Sequence, residues 1–201
     1  QIIGEEASES DPSMLESVDN GLVWLIDPID GTSNFTEGKS PFALMIALLN
    51  NGVREGGWIY DPVANRFCHA MRGKGAFVDH IAVTARETGG VLPLAALATG
   101  FMTPEKRADV AARAAGKHSI VPIPRCAGEQ YPRLILGQND VALFERTLPW
   151  DHAAGTLFVE EAGGVIRRND GSGYLIGDGG TGLLGAASQR LWDDAARILF
   201  G

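Results

Sequence analysis

The apolar run Val23-Trp24-Leu25-Ile26 stops abruptly at Asp27-Pro28-Ile29-Asp30-Gly31-Thr32, and no other stretch limits the fold so tightly. The run reads as a buried strand, so two carboxylates fall at a strand end, three residues apart. The proline fixes its own φ. Backbone held in this way can point both carboxylates into one space. Like charges so placed repel, and something positive should compensate. A divalent cation does this, and Mg²⁺ favours carboxylate oxygens plus retained waters. Gly31 permits a close turn, after which the amides of Gly31 and Thr32 can face an anion. The Thr32 hydroxyl could hold a water. An isolated Asp-Pro or Asp-Gly would read as a turn. The whole string after an apolar strand points instead to metal and phosphate chemistry.

Two other acidic segments matter. Gly4-Glu5-Glu6 follows Ile2-Ile3 and, taken alone, is a solvated turn. Trp150-Asp151-His152-Ala153-Ala154-Gly155 puts Asp151 at the start of an apolar helix, where a carboxylate also serves as a cap. Three separated carboxylate sites in a chain without other chemistry suggest one shared metal site.

These three segments resemble, in order, the signatures of the inositol monophosphatase family of Mg²⁺-dependent, lithium-sensitive phosphatases. Glu161-Ala162-Gly163-Gly164 and Gly73-Lys74-Gly75-Ala76-Phe77 resemble lesser family patterns, and the likeness covers nearly the whole chain. The resemblance implies a layered α-β-α-β-α sandwich, a mixed α+β and α/β fold of the sugar-phosphatase type. It implies that Glu5, Asp27 and the Ile29 carbonyl hold a first Mg²⁺, that Asp27, Asp30 and Asp151 hold a second, and that a third, weaker ion shares Glu5. Asp30 and the Gly31 and Thr32 amides would bind the phosphorylated substrate, and Glu5 and Thr32 would orient the attacking water. Metals about 3.5–4 Å apart would clamp the ester, activating water on one side and stabilising the leaving oxygen on the other. The implied substrate is a small polyol phosphate such as inositol monophosphate. Histidinol phosphate or a 3′-phosphonucleotide would need the same chemistry, and a regulatory module that binds metal without turnover is the rival of another class. A homodimer is common in the family.

The chain also departs from the family pattern. Gln1-Ile2-Ile3 lacks an initiator Met and reads as the end of a strand already inside a domain, so residues upstream are expected. The family normally has about two helices before its Gly-Glu-Glu segment, and one carries an Asp that partners the Thr32 position. The segment Asp79-His80-Ile81-Ala82-Val83 is a few residues short. Where inositol-specific members hold sugar hydroxyls, this chain reads Arg125-Cys126-Ala127-Gly128-Glu129-Gln130-Tyr131, which makes Gly128 a substrate-contact candidate. Glu145 lies near the family's second substrate position, but its spacing to Trp150 differs by about one residue, and a surface carboxylate is the other reading. Arg125, Arg133 and Arg146 could read a second anionic group. Trp24 and Trp150 each precede a key Asp and are expected to wall the metal site. His152 is expected to pack or cap, and Glu160 and Glu161 to be solvated.

Organisation along the chain fits this picture. Residues 7–20 are polar, without apolar periodicity, and read as a surface loop. Residues 42–49 and 53–60 read as strands joined at Asn50-Asn51-Gly52, with Arg66–Ala70 and Ala76–Val78 continuing an antiparallel sheet. Pro104–Ala115, Glu129–Leu136, Ala153–Ala162 and Ser188–Phe200 read as helices. Val141–Phe144, Val165-Ile166 and Leu183–Ala187 read as strands, making an α/β half. A boundary near residue 85 divides the two. The glycine-rich stretch 177–182 lacks the Lys-Ser/Thr of a P-loop and reads as a flexible loop.

Charge and composition narrow the classes further. With 17 Lys plus Arg against 25 Asp plus Glu the net charge is −8, which disfavours a nucleic-acid polymer or an anionic membrane as partner. The longest apolar run, Phe42 to Leu49, is far short of the roughly 20 residues of a membrane span. No signal-peptide pattern is visible, and Cys68 and Cys126 lack metal or disulfide spacing, so a cytoplasmic protein with reduced thiols is expected.

Overall fold

The computed structural model describes residues 1–201, the side chain of Glu9 excepted. Strand β1 (Ile2–Gly4) leads into helix α1 (Glu5–Ser10) and a 3₁₀ turn over Pro12–Ser17. Residues 7–20, expected as a loop, are therefore largely helical. Val18 is buried, and Met14 and Leu15 pack against the core, but two single turns are too short to show a period in sequence. Strand β2 (Leu22–Asp30) runs parallel to β1 and ends in the short helix α2 (Thr32–Thr36).

From β2 the chain continues as an antiparallel meander through β3 (Ala43–Asn50), β4 (Val53–Asp61), β5 (Arg66–Met71), β6 (Gly75–Val78) and β7 (Ile81–Val83). Two-residue turns set its register. Asn51 and Gly52 have φ of 49° and 75°, and Asp79 and His80 have φ of 48° and 67°. This left-handed pair of residues matches the twist of a hairpin. The second turn explains why segment 79–83 is short: a minimal hairpin joins β6 to β7.

The second half holds β8 (Leu94–Ala98), α3 (Pro104–Ala114), β9 (Ser119–Ile120), α4 (Ala127–Ile135), β10 (Val141–Phe144), α5 (Pro149–Glu161), β11 (Val165–Arg168), β12 (Leu183–Ala186) and α6 (Gln189–Phe200). Its five strands form a mixed sheet in the order β11-β12-β10-β8-β9. Thr103 caps α3 by accepting from the Lys106 amide at 3.2 Å, and Ser188 caps α6. Helices α4 and α5 lie between the two sheets. Every residue of α5 from Pro149 to Val159 is buried, as a helix covered on all sides must be. Helices α3 and α6 cover the far face of the small sheet, closing a second core around Val110, Leu191, Trp192 and Leu199.

The described residues thus form four layers of the expected sandwich: large sheet, helices, small sheet, helices. The outer face of the large sheet exposes Ile2, Trp24 and Met71 along one cross-strand row, and the four longer helices all pack elsewhere. No described helix is long and apolar enough to cross a membrane.

The two lesser sequence patterns meet in space. The Glu161 carboxylate, at the end of α5, accepts from the Gly73 amide at 2.7 Å and the Gly75 amide at 2.8 Å, in the turn between β5 and β6. Glu160 pairs with Arg54 at 3.1 Å. Both were expected to be solvated. Glu160 does stay exposed while it pairs with Arg54, whereas Glu161 is half-buried and bound, because α5 lies across the large sheet and its last turn reaches the sheet's loops.

Helix α5 crosses α4 at Gly155, where an added Cβ would stand 1.9 Å from a ring carbon of Tyr131. Gly155→Ala should therefore destabilise the protein by about 2–3 kcal/mol through overpacking, measured as a lower urea midpoint at unchanged slope.

Candidate active site

The end of β2 and the start of α5 bring Asp27, Asp30 and Asp151 together. One oxygen from each lies within 4.8 Å of the others, and all three residues are buried. The pairing of β2 with β3 shifts register between Asp27 and Asp30. Proline cannot donate to a ladder, so the irregularity falls at Pro28, and it lets two residues three apart share one side. Asp27 accepts from the Ile29 amide at 2.9 Å. Asp30 is gripped harder: its Oδ2 accepts from the Gly128 amide at 2.6 Å and from the Cys126 thiol at 3.0 Å. The strand end is thereby joined to the start of α4.

Gly128 is needed for this join, since a Cβ there would meet the Ala43 Cβ at 2.6 Å. Its amide serves the carboxylate of Asp30, which gives the substrate-contact candidate a supporting task. Gly31 takes φ of 85°, where glycine is favoured, and directs the chain into α2. The Thr32 hydroxyl donates to the Ile29 carbonyl at 3.0 Å, so those two candidates touch each other. Glu5 opens α1 and lines the same cavity.

The electrostatics are those of concentrated negative charge. Burial first, then the charges of Asp30, Asp151 and Glu5, push the Asp27 carboxyl up to about 8. Burial and Asp30 push Asp151 up to about 7. Burial likewise raises Asp30, against the hydrogen bonds from Cys126 and Gly128. Arg146 approaches Asp151 to 3.6 Å and is half exposed.

The cavity above this cluster has a volume of about 620 Å³. Arg125, Cys126, Glu145, Arg146 and His152 line it, with Phe101, Ile123 and Pro124. Glu145 is buried and accepts from Lys106 of α3 at 2.7 Å. Arg133 is not in the lining. Its guanidinium turns onto Glu129, which also binds Arg66. Neither tryptophan walls the site. Trp24 sits on the opposite face of β2, against Trp58, because it is three residues from Asp27 and strand side chains alternate. Trp150 is buried in α5, outside the lining. His152 packs as expected: its Nδ1 meets the Tyr131 hydroxyl at 2.6 Å and its Nε2 the Arg146 carbonyl at 2.9 Å. Both cysteines are free and buried. Cys126 and Phe101 line the cavity and Lys106 reaches it through Glu145, and none of the three carries a motif; long-range packing brings them there.

Two sheets enclosing a helix layer, with carboxylates from a strand end and a helix start meeting in one cavity, make a phosphatase fold. The chain belongs to the inositol monophosphatase family, whose model matches residues 1–198. It is 30% identical over 195 residues to the inositol-1-monophosphatase of Bacillus subtilis, covering 94% of this chain and 71% of that protein. It is 34% identical over 199 residues to the Nus factor SuhB of Escherichia coli K12, covering 94% and 70%. Inositol monophosphatase II from Staphylococcus aureus MSSA476 superposes with a TM-score of 0.83 at 22% identity, over 100% of this chain and 74% of that one. The family depends on metal, and the buried acidic cluster suits one.

A raised carboxyl pKa has a definite sign in stability. Folded protein holds protons that the unfolded chain releases between the ordinary 3.8 and about 8 for Asp27, so stability falls as pH rises through that window. In EDTA the protein should melt at a lower temperature at about pH 8.5 than at about pH 5.5. Mg²⁺ should restore the loss at the higher pH. Thermal unfolding with and without Mg²⁺ checks this, and a Mg²⁺ effect equal at both pH values would contradict it.

Proposed function

We propose that this protein is a Mg²⁺-dependent phosphomonoesterase acting on a small phosphorylated metabolite of the inositol monophosphate kind. The observation that carries this is the convergence of Asp27, Asp30 and Asp151 at the floor of an open cavity. An all-oxygen set of close carboxylates suits a hard cation such as Mg²⁺ better than the nitrogen- and sulfur-bound metals. Glu5, Asp27 and the Ile29 carbonyl would hold one ion, Asp27, Asp30 and Asp151 a second, and Glu5 would share a third. Bound Mg²⁺ supplies positive charge to the phosphoryl oxygens and lowers the pKa of a water.

The chain's own residues do the placing. The Gly31 and Thr32 amides, at the turn into α2, would receive phosphate oxygens. Thr32, by exchanging its bond to Ile29, would orient the attacking water together with Glu5. Asp30, anchored by Gly128 and Cys126, keeps its direction throughout, so charge that develops meets a field already arranged. The Cys126 thiol is pushed up by burial and by Asp30 and stays protonated, so it offers no thiolate nucleophile. The division near residue 85 belongs to the same reading: Asp27 and Asp30 come from the first part, Asp151 and the outer cavity wall from the second. Lithium inhibition, a homodimer and a cytoplasmic location are supported by family membership alone.

A regulatory module without turnover is the second reading, favoured by the 34% identity to a protein named as a Nus factor. The presence of Glu5, Asp27, Asp30, Thr32 and Asp151 together supports catalysis over it. Phosphate release from inositol phosphate, histidinol phosphate and a 3′-phosphonucleotide, with and without Mg²⁺ and lithium, tests the two. Asp30→Asn keeps an acceptor for the Gly128 amide while removing the charge. It should lower kcat at least about 100-fold with the melting temperature held. Unchanged turnover in that variant would remove the metal assignment.

A further inference from the structure

We propose that the substrate carries a second anionic group, a phosphate or a carboxylate, and that Arg125 and Arg146 bind it. This rests on the phosphatase reading and specifies its substrate class. The cavity, at about 620 Å³, lies mid-range for sites that enclose ligands larger than one phosphate, about 300–1,000 Å³. Its acidic floor would serve the scissile phosphate. The exposed residues of its lining include Phe101, Arg125 and Arg146, the last at 3.6 Å from Asp151 beside the acidic cluster.

These two are the arginines of the lining, and its other basic residue, His152, has both ring nitrogens bonded within the protein. Other cations nearby are committed elsewhere: Arg66 and Arg133 to Glu129, Lys106 to Glu145, Arg54 to Thr156 and Glu160. Arg125 and Arg146 are each about half exposed, and each meets a carboxylate, Glu37 or Asp151, at 3.6 Å. That distance leaves an ion pair but exceeds a hydrogen bond. A phosphate or carboxylate can therefore take two donors from each fork.

Both are also held in place. Arg125 has φ of 58°, left-handed backbone in which an arginine is uncommon and which gathers at functional sites. The Arg146 guanidinium lies over the ring of Phe101, 4.6 Å from its centroid, and Phe101 is itself 68% exposed. A cation over the face of an aromatic ring is attracted to it, which favours this position of the fork. The Arg146 carbonyl is bound by His152, which fixes the backbone beneath it. In a chain of net charge −8 with an acidic cavity floor, a doubly anionic ligand would otherwise be repelled. Two cations from different loops of the cavity wall, one before α4 and one before α5, offset this.

Matched pairs of substrates test the proposal, assayed with Mg²⁺: adenosine 3′-phosphate against adenosine 3′,5′-bisphosphate, inositol 1-phosphate against inositol 1,4-bisphosphate, and glycerol 3-phosphate against 3-phosphoglycerate. In at least one pair the partner with the second anion should be favoured about tenfold or more in kcat/KM, mainly through KM, as charged hydrogen bonds allow. The pair that shows it tells phosphate from carboxylate. Arg125→Met and Arg146→Met should each remove most of that preference, and Arg146→Lys should keep part of it, with melting temperatures confirming the fold. No preference in any pair, or losses equal on both members, overturns this proposal and leaves the phosphatase reading standing. Absence of Mg²⁺-dependent release from every compound overturns both.

Discussion

Three carboxylates within a few ångströms repel one another, and burying them strengthens the repulsion. Folding must hold them there by other means. The means is Asp30, whose carboxylate takes the Gly128 amide and the Cys126 thiol and so ties the last residue of β2 to the first turn of α4. Everything around that tie is built to keep it short. Gly128 has no side chain to push Ala43 away, and Gly155 lets α5 lie close over Tyr131 with Asp151 at its head. Strand β2 and the head of α5 then carry the site's charge, and the two cores, one around α4 and α5 and one beyond the small sheet, carry the stability.

The same helix layer links distant loops. Glu161 at the far end of α5 binds the turn between β5 and β6 through two backbone amides, while Asp151 at the near end faces the cavity. One rigid element thus spans from the site to the opposite edge of the large sheet. This is why two short sequence patterns, nearly ninety residues apart, belong together.

What was legible in the sequence was chemistry packed into contiguous residues. Asp27, Asp30, Gly31 and Thr32 fall within six positions after an apolar strand, and Asp151 opens an apolar helix; both patterns state their geometry locally. The family likeness of the chain and its layered architecture followed from them, and most strands and helices came from periodicity and turn residues such as Asn51-Gly52. What was not legible depends on partners far off in sequence. Cys126 meets Asp30 across 96 positions and Lys106 meets Glu145 across 39, with no local pattern for either. Arg133 looked like a cavity residue until Glu129, one helical turn away, proved to hold it. Trp24 was misplaced by strand parity, which counting from Asp27 would have revealed. The helical turns over residues 5–17 were too short to leave a periodic trace.

The imidazole next to Asp151 has both of its nitrogens engaged. A carbonyl can only accept, so the Nε2 facing Arg146 carries the proton, and the Tyr131 hydroxyl donates to Nδ1. Burial holds the ring neutral, down to about 3. A histidine beside a reactive centre usually invites a part in moving protons, but this one is closed at both ends and has none to give or take near neutral pH. Proton movement in the cavity is left to carboxylates and solvent, and His152 works as a fixed strut between the helix that carries Asp151 and the loop that presents Arg146.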